Sequence, residues 1–200
     1  MTSNRSISFR TTDISSGSSS ATQTVTVTTV NDAPKVNNRL DPVLQFDGTT
    51  SSYVVFSDVD NSIASSQAVT LEAWVKFSRL SGVQFIASGG GAALNHLELQ
   101  NNGAALRFIP TTNALFDTGD VLVTDQWMHI AATYDATSDT AKVFINGTQV
   151  NITDASNYTD AAIQNGNTYF LGNRSDKTYP LYGSIAEYRI WNDIRTEDEV

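Results

Sequence analysis

Glu72 in "LEAW" and Glu98 in "LELQ" lie within runs that read as strands, and each stands alone. Glycoside hydrolysis uses two carboxylates facing each other across a cleft. On one strand such a pair needs even spacing to share a face, and neither glutamate has an acidic partner so placed. The denser acid cluster, "TEDEV" at the C-terminus, reads as a helical turn. Two histidines, His96 and His129, suggest no Ser-His-Asp set. The glycines of "SGGGA" (88–92) have neither the lysine nor the strand-to-helix context of a phosphate loop, and read as a hairpin tip. The expectation is a protein that is not an enzyme.

Oxygen donors and aromatic rings suggest binding instead. Calcium takes six to eight oxygens, usually gathered from loops. "SDVDNS" (57–62) sets Asp58, Asp60 and Asn61 in alternation, like half of a calcium loop, although it lacks the glycine and distal glutamate of an EF-hand. A solvated turn is the other reading of the same residues. The segment "GNRSDKTYPLY" joins two strand-like runs through Asn173, Arg174, Ser175, Asp176 and Lys177. Tyr179 and Tyr182 flank Pro180 among polar neighbours, which favours exposed rings on which a sugar can stack. Trp74, Trp127 and Trp191 lie in alternating strand-like runs, so they are expected to fill the space between packed sheets. His129, in "WMHIAATY", reads as a strand histidine with a satisfied hydrogen bond.

Composition narrows the classes of partner. A formal net charge of −9 argues against nucleic acid, which demands a surplus of Lys and Arg. No cysteine is present, which excludes disulfides, thiolate metal sites and Cys nucleophiles. The 40% hydrophobic and 16% charged fractions describe a globular protein solubilised by Ser, Thr, Asn and Gly. No run reaches the roughly 20 apolar residues of a membrane helix, so no membrane insertion is expected. An acidic, Lys-poor surface without cysteine fits an extracellular or cell-surface bacterial protein.

The elements that must position these residues are short. Beyond about residue 40, runs such as "YVVFSD", "VTLEAWVKF", "WMHIAATYD" and "GSIAEYRIWN" span 4–9 residues or so and are split by Gly, Asn and Asp turns. "AKVFINGTQVNI" predicts a hairpin about Asn146-Gly147. Ten or more such strands predict an all-β, two-sheet antiparallel jelly-roll sandwich. Residues 1–37 form a separate part, with the alternation of Val25 and Val27 after a Ser/Gly break and with Pro34 in a linker. The domain expected after it covers residues 38–200.

Two family resemblances follow from these segments. "TVTTVNDAP" resembles the last strand and linker of the cadherin-like or VCBS-type repeats of large bacterial surface adhesins. That resemblance implies calcium held by Asn31 and Asp32 between neighbouring domains; a simple turn before Pro34 is the other reading. "LQFDGTTSSYVVFSD", "VTLEAWVKF", "WMHIAATYD…AKVFINGTQV" and "YFLGNR…LYGSIAEYRIWNDIRTEDEV", in that order, resemble a laminin G-like/pentraxin domain, a concanavalin A-like jelly roll, over residues 40–200. Glycosidases of that fold carry a Glu-x-Asp-x-x-Glu run, which this chain does not have.

The second resemblance implies two calcium sites. In pentraxins an Asp-Asn pair and an acidic run after "LG" hold the ligand-binding calcium. Here the run falls on "LGNRSD", giving Asn173, Ser175 and Asp176, with Arg174 where the family has an acid. The earlier pair falls on "LNHLEL", which keeps Asn95 and brings His96. Direct sugar contacts from Asn95, His96, Asn173, Arg174 and Asp176 are the calcium-free alternative. The other implied ion pins the terminal strands through Asp47 and the Gly48 carbonyl, with Glu187 as partner. Calcium is thus the expected cofactor, with Asp32, Asp58, Asp60 and Asp176 as further donors. The function implied is a non-catalytic, lectin-like module of a bacterial surface adhesin that recognises glycans or cell-surface polymer. A structural spacer within a multidomain extracellular protein is the alternative.

Overall fold

Strand alternation decides which side of each strand is core, and several sequence-based expectations turn on it. The structure, a computed structural model, describes residues 43–56, 65–90, 97–111, 114–154, 163 and 168–200, together with the backbone of 2–12 and 18–28. The chain forms two compact units, Met1–Asp32 and Ala33–Val200. In the first, β1 (Thr2–Thr12) and β2 (Ser18–Thr28) pair antiparallel from Thr2 opposite Thr28 to Thr12 opposite Ser18.

The second unit is a two-sheet sandwich. Its strands are β3 (Val43–Asp47), β4 (Val54–Phe56), β5 (Ala68–Phe77), β6 (Val83–Gly90), β7 (Glu98–Asn102), β8 (Ala105–Ile109), β9 (Phe116–Asp120), β10 (Met128–Asp135), β11 (Thr140–Ile145), β12 (Thr148–Val150), β13 (Ile152–Asp154), β14 (Thr168–Leu171) and β15 (Tyr182–Trp191). One sheet has the order β12-β11-β10-β5-β15-β3, and the other β13-β9-β8-β7-β6-β14-β4. The strand pairs within both sheets are antiparallel, so the fold is the expected all-β jelly-roll sandwich. Asn146 and Gly147 both take positive φ, 52° and 76°, as the tight turn between β11 and β12 requires. Ser88, Gly89 and Gly90 are not a hairpin tip: they extend β6 against β14. Among the described residues no helix is long and apolar enough to cross a membrane.

The core forms where inward residues of both sheets meet. Val69, Leu71, Ala73, Val75 and Phe77 of β5 and Met128, Ile130, Ala132 and Tyr134 of β10 come from one sheet. Leu99, Leu106, Phe108, Phe116, Tyr169 and Leu171 come from the other. Each fully buried aliphatic or aromatic side chain stabilises the sandwich by about 1.5–3 kcal/mol.

The three tryptophans lie outside this core, contrary to expectation. Trp74 is buried, but its even position on β5 turns it to the outer face, where it meets His129 edge-on at 5.4 Å. Trp127 is half-buried with Lys76 over its ring. Trp191 follows a bulge between Ala186 and Arg189 and donates its indole N–H to Glu72 Oε1 at 3.0 Å. Arg189 Nη1 also reaches Glu72 Oε1, at 3.2 Å, and His129 Nε2 lies 3.6 Å from Glu72 Oε2. The segment after β15 covers this polar centre: the Thr70 hydroxyl donates to Asp193 O and accepts from the Arg195 amide, while the Arg195 guanidinium stacks 3.7 Å from the Trp191 ring. "TEDEV" closes as a turn, with the Thr196 amide and hydroxyl donating to the Glu199 carboxylate.

His129 differs in detail from the satisfied strand histidine expected. Its Nδ1 is buried with no hydrogen-bond partner among the described residues. Burial holds its pKa below the ordinary value, since desolvation of the imidazolium outweighs the attraction of Glu72. The unfolded chain therefore takes up this proton first, near pH 6.5 or so. The expected outcome is a melting temperature that falls as pH drops from about 6.5 through the folded pKa, with a smaller fall in His129→Gln. Equal pH dependence of the two proteins above about pH 5 would contradict this.

Candidate functional site

Residues 172–181, between β14 and β15, form a loop held by buried polar contacts. Gly172 takes φ 77°, and a Cβ there would collide with the buried Phe46 ring, so both backbone and space demand glycine. Gly172 N–H donates to Ile86 O, and Leu181 N–H donates back to Gly172 O at 2.8 Å, closing the loop. Asn173 sits inside it at 0% exposure. Its Oδ1 accepts from the amides of Arg174 (2.9 Å) and Tyr179 (3.2 Å), and its Nδ2 donates to Thr50 O at 3.4 Å. Asn173, expected to contact ligand, thus shapes the loop instead of presenting its amide to solvent. Phe85 N–H donates to Tyr179 O, which ties the loop to the end of β6.

The loop arms the outer face of the seven-stranded sheet. Cross-strand partners share a face, which sets Phe85, Gln100, Arg107 and Asp117 in one row across β6, β7, β8 and β9. Glu98, two residues from Gln100, belongs to the same face. Tyr179 is 38% exposed and stacks on Phe85 at 5.7 Å with an interplanar angle of 25°. The Arg174 guanidinium caps both rings, 5.7 Å from Tyr179 and 5.9 Å from Phe85. Its Nε lies 3.9 Å from Glu98 Oε1 and its Nη1 3.5 Å from Asp176 Oδ2. Farther along, Arg107 grips Asp117 through two bonds of 2.7 and 2.8 Å, which raises the arginine pKa.

Asp176 is exposed but bonded within its own loop. Desolvation raises its pKa, but the hydroxyl and amide of Thr178, with Arg174, outweigh that and hold the carboxyl below its ordinary value. Tyr182 is not brought to this face. It pairs with Asp47 in the six-stranded sheet, with Arg79 5.4 Å from its ring centroid. By alternation with Ser184, which is opposite Lys76, Tyr182 turns to that sheet's outer side.

The structure does not join the expected ligands of a strand-pinning calcium. Asp47 Oδ1 accepts from the amide (2.9 Å) and hydroxyl (2.7 Å) of Thr49, which lowers its pKa, and Gly48 turns at φ 76° against Tyr182. Glu187 lies five residues along β15 from Tyr182, the partner of Asp47, or roughly 16 Å at strand spacing. It pairs instead with Arg189 at 2.8 Å. Among the described residues no three His, Asp or Glu side chains gather as a metal site. Asp32, Asp58, Asp60, Asn95 and His96 lie outside the described residues. Phe85, Gln100, Arg107 and Asp117 escaped sequence reasoning, although "LELQ" and "ALRF" signal Gln100 and Arg107 as polar residues in alternation with core leucines.

Fold and face together define a class, the two-sheet jelly roll with a polar, aromatic-edged outer sheet. Residues 47–200 match the laminin G-like family model described as the concanavalin A-like lectin/glucanases superfamily, and the chain belongs to that family. A comparison with curated proteins gives no match. Among solved structures, the fold is similar to the native heptameric SAP-like pentraxin of Limulus polyphemus, with a TM-score of 0.55 and 12% identity over 78% of each chain. It is similar to the Ruminococcus gnavus IT-sialidase CBM40 bound to α2,3 sialyllactose, with a TM-score of 0.58 and 17% identity over 78% of this chain and 93% of that one. It is also similar to the binding domain of botulinum neurotoxin DC in complex with SialylT, with a TM-score of 0.61 and 11% identity over 82% of this chain and 42% of that one. At these identities the likeness is one of fold.

Asn173→Ala tests how the loop is held. It strips the acceptor from two amides at a fully buried side chain, so stability should fall by roughly 2–4 kcal/mol in denaturant unfolding. Asn173→Asp keeps the acceptor and should recover part of the loss. A change below about 0.5 kcal/mol in the alanine variant would show that the loop is held by other contacts.

Proposed function

We propose that the chain is a non-catalytic, glycan-binding module, and that it reads glycans on the outer face of the seven-stranded sheet. The observation that carries this is Tyr179, exposed, stacked on Phe85 and capped by Arg174, whose guanidinium also reaches Glu98. A sugar ring offers an apolar C–H face and a rim of hydroxyls. An exposed, backed aromatic ring takes the first, and the guanidinium of Arg174 and the carboxylate of Asp176 take the second. The glycan complexes formed by two proteins of similar fold, the sialidase CBM40 and the neurotoxin binding domain, support the same use of this architecture.

The wider context belongs to the same reading. A cysteine-free, Ser/Thr-rich chain with a separate N-terminal β unit fits a multidomain bacterial protein at the cell surface, with neighbouring domains of its own chain as partners. The spacer reading draws on a different observation: Asn173, Asp176 and the Arg107–Asp117 pair are satisfied by the protein itself.

Titration with lactose, 3′-sialyllactose and 3′-sulfolactose decides between them. Binding to at least one, weakened about tenfold or more in Tyr179→Ala, is expected for a stacking site. No binding to any glycan, or binding indifferent to Tyr179, would leave the spacer reading. The direct contacts further predict that binding survives EDTA. Its loss in EDTA and return with calcium would transfer recognition to an ion.

A further inference from the structure

A second aromatic platform stands on the same face. Phe170 of β14 pairs with Ser88 of β6 and Val55 of β4, which sets it in the row beside Phe85. From strand and residue spacings the two backbone positions lie on the order of 8 Å apart. Tyr53 packs tilted against Phe170 at 5.8 Å, and the Lys177 ammonium lies 4.8 Å from the Tyr53 ring centroid. Val55, next to Phe170, is 46% exposed, and Tyr53 and Phe170 are half-buried.

The two cations of the loop sit in different surroundings. Arg174 is flanked by Glu98 and Asp176, which neutralise it. Asp176 is committed to Thr178 and Arg174, and among the described residues Lys177 has no carboxylate at ion-pair distance. Lys177 also takes φ 64°, where glycine or asparagine would be less strained. Strain of this kind persists where surrounding structure enforces it, and it clusters at functional positions. The strained backbone delivers a cation to an aromatic pair on a protein whose net charge is −9.

We propose that Tyr53, Phe170 and Lys177 form a second subsite that takes an anionic substituent, a carboxylate or a sulfate, on the sugar adjoining the one stacked on Tyr179. This rests on the glycan-binding reading and specifies its ligand as an acidic oligosaccharide of at least two rings. Aromatic residues whose backbone positions lie about 8 Å apart on one face can contact a single oligosaccharide, while a neutralised and an uncompensated cation separate the neutral position from the acidic one.

The test compares wild type, Lys177→Asn and Tyr179→Ala against lactose, 3′-sialyllactose and 3′-sulfolactose. Asparagine suits the left-handed backbone at 177, so the variant should fold, as its melting curve will show. Lys142→Asn, on the exposed side of β11, controls for the change in net charge. Wild type should bind an acidic glycan about tenfold more tightly than lactose, less so at raised ionic strength, and Lys177→Asn should lose that preference. The two acidic probes separate carboxylate from sulfate. Equal affinity for lactose and both acidic glycans, or an acidic preference unchanged in Lys177→Asn, overturns the second subsite. If Tyr179→Ala still weakens binding, the glycan-binding reading survives that result. Failure of wild type to bind any of the three overturns both.

Discussion

The side-chain amide of Asn173 fixes the geometry on which the candidate site depends. A ten-residue loop has many conformations, and closing it onto a sheet costs roughly 1–2 kcal/mol of backbone entropy per ordered residue. Asn173 offsets part of that cost by acting as a peptide group inside the loop: it accepts from two amides and donates to the β3–β4 turn. Around it, Gly172 allows the chain to pass over Phe46, and the bond from Leu181 to Gly172 closes the ring. Arg174, Lys177 and Tyr179 are therefore presented from a rigid base, which limits the ordering cost of meeting a ligand.

The sandwich has two outer faces with different fates. On the six-stranded sheet, Glu72 gathers Trp191, Arg189 and His129, and the chain after β15 lies over them. These charges are spent on attaching the C-terminal segment, because a buried carboxylate without partners would cost several kcal/mol. On the seven-stranded sheet, Glu98 and Gln100 are buried, while Tyr179 and Arg174 lie against Phe85 and Lys177 lies over Tyr53. The first face carries the chain's own C-terminal segment, and the second carries the aromatic and charged side chains of the 172–181 loop.

Much of the fold was legible in the sequence, because period-2 alternation and Asn-Gly or Asp-Gly turns act locally. The β11–β12 hairpin and the jelly-roll class follow directly from such signals. The tryptophans show the limit: alternation says that Trp74 and Leu71 face opposite ways, but not which side meets the other sheet. The same ambiguity hid Phe85, an apolar residue between strand neighbours, and Gln100 and Arg107, whose polar alternation resembles any solvated strand. Asn173 and Arg174 were visible as a polar loop, yet their division into scaffold and presenter depends on Thr50, 123 positions earlier. Tyr179 and Tyr182, three residues apart, separate because Tyr179 stays in the loop and stacks on Phe85, while Tyr182 is the first residue of β15 in the six-stranded sheet.

Mapping amide chemical shifts by NMR during titration with a bound glycan tests the central claim most directly. The account predicts that the largest changes fall on Phe85, Glu98, Gln100, Arg174 and Tyr179, with the six-stranded sheet nearly silent. Changes centred instead on Tyr182, Arg79 and Trp127, on the other outer face, would contradict it.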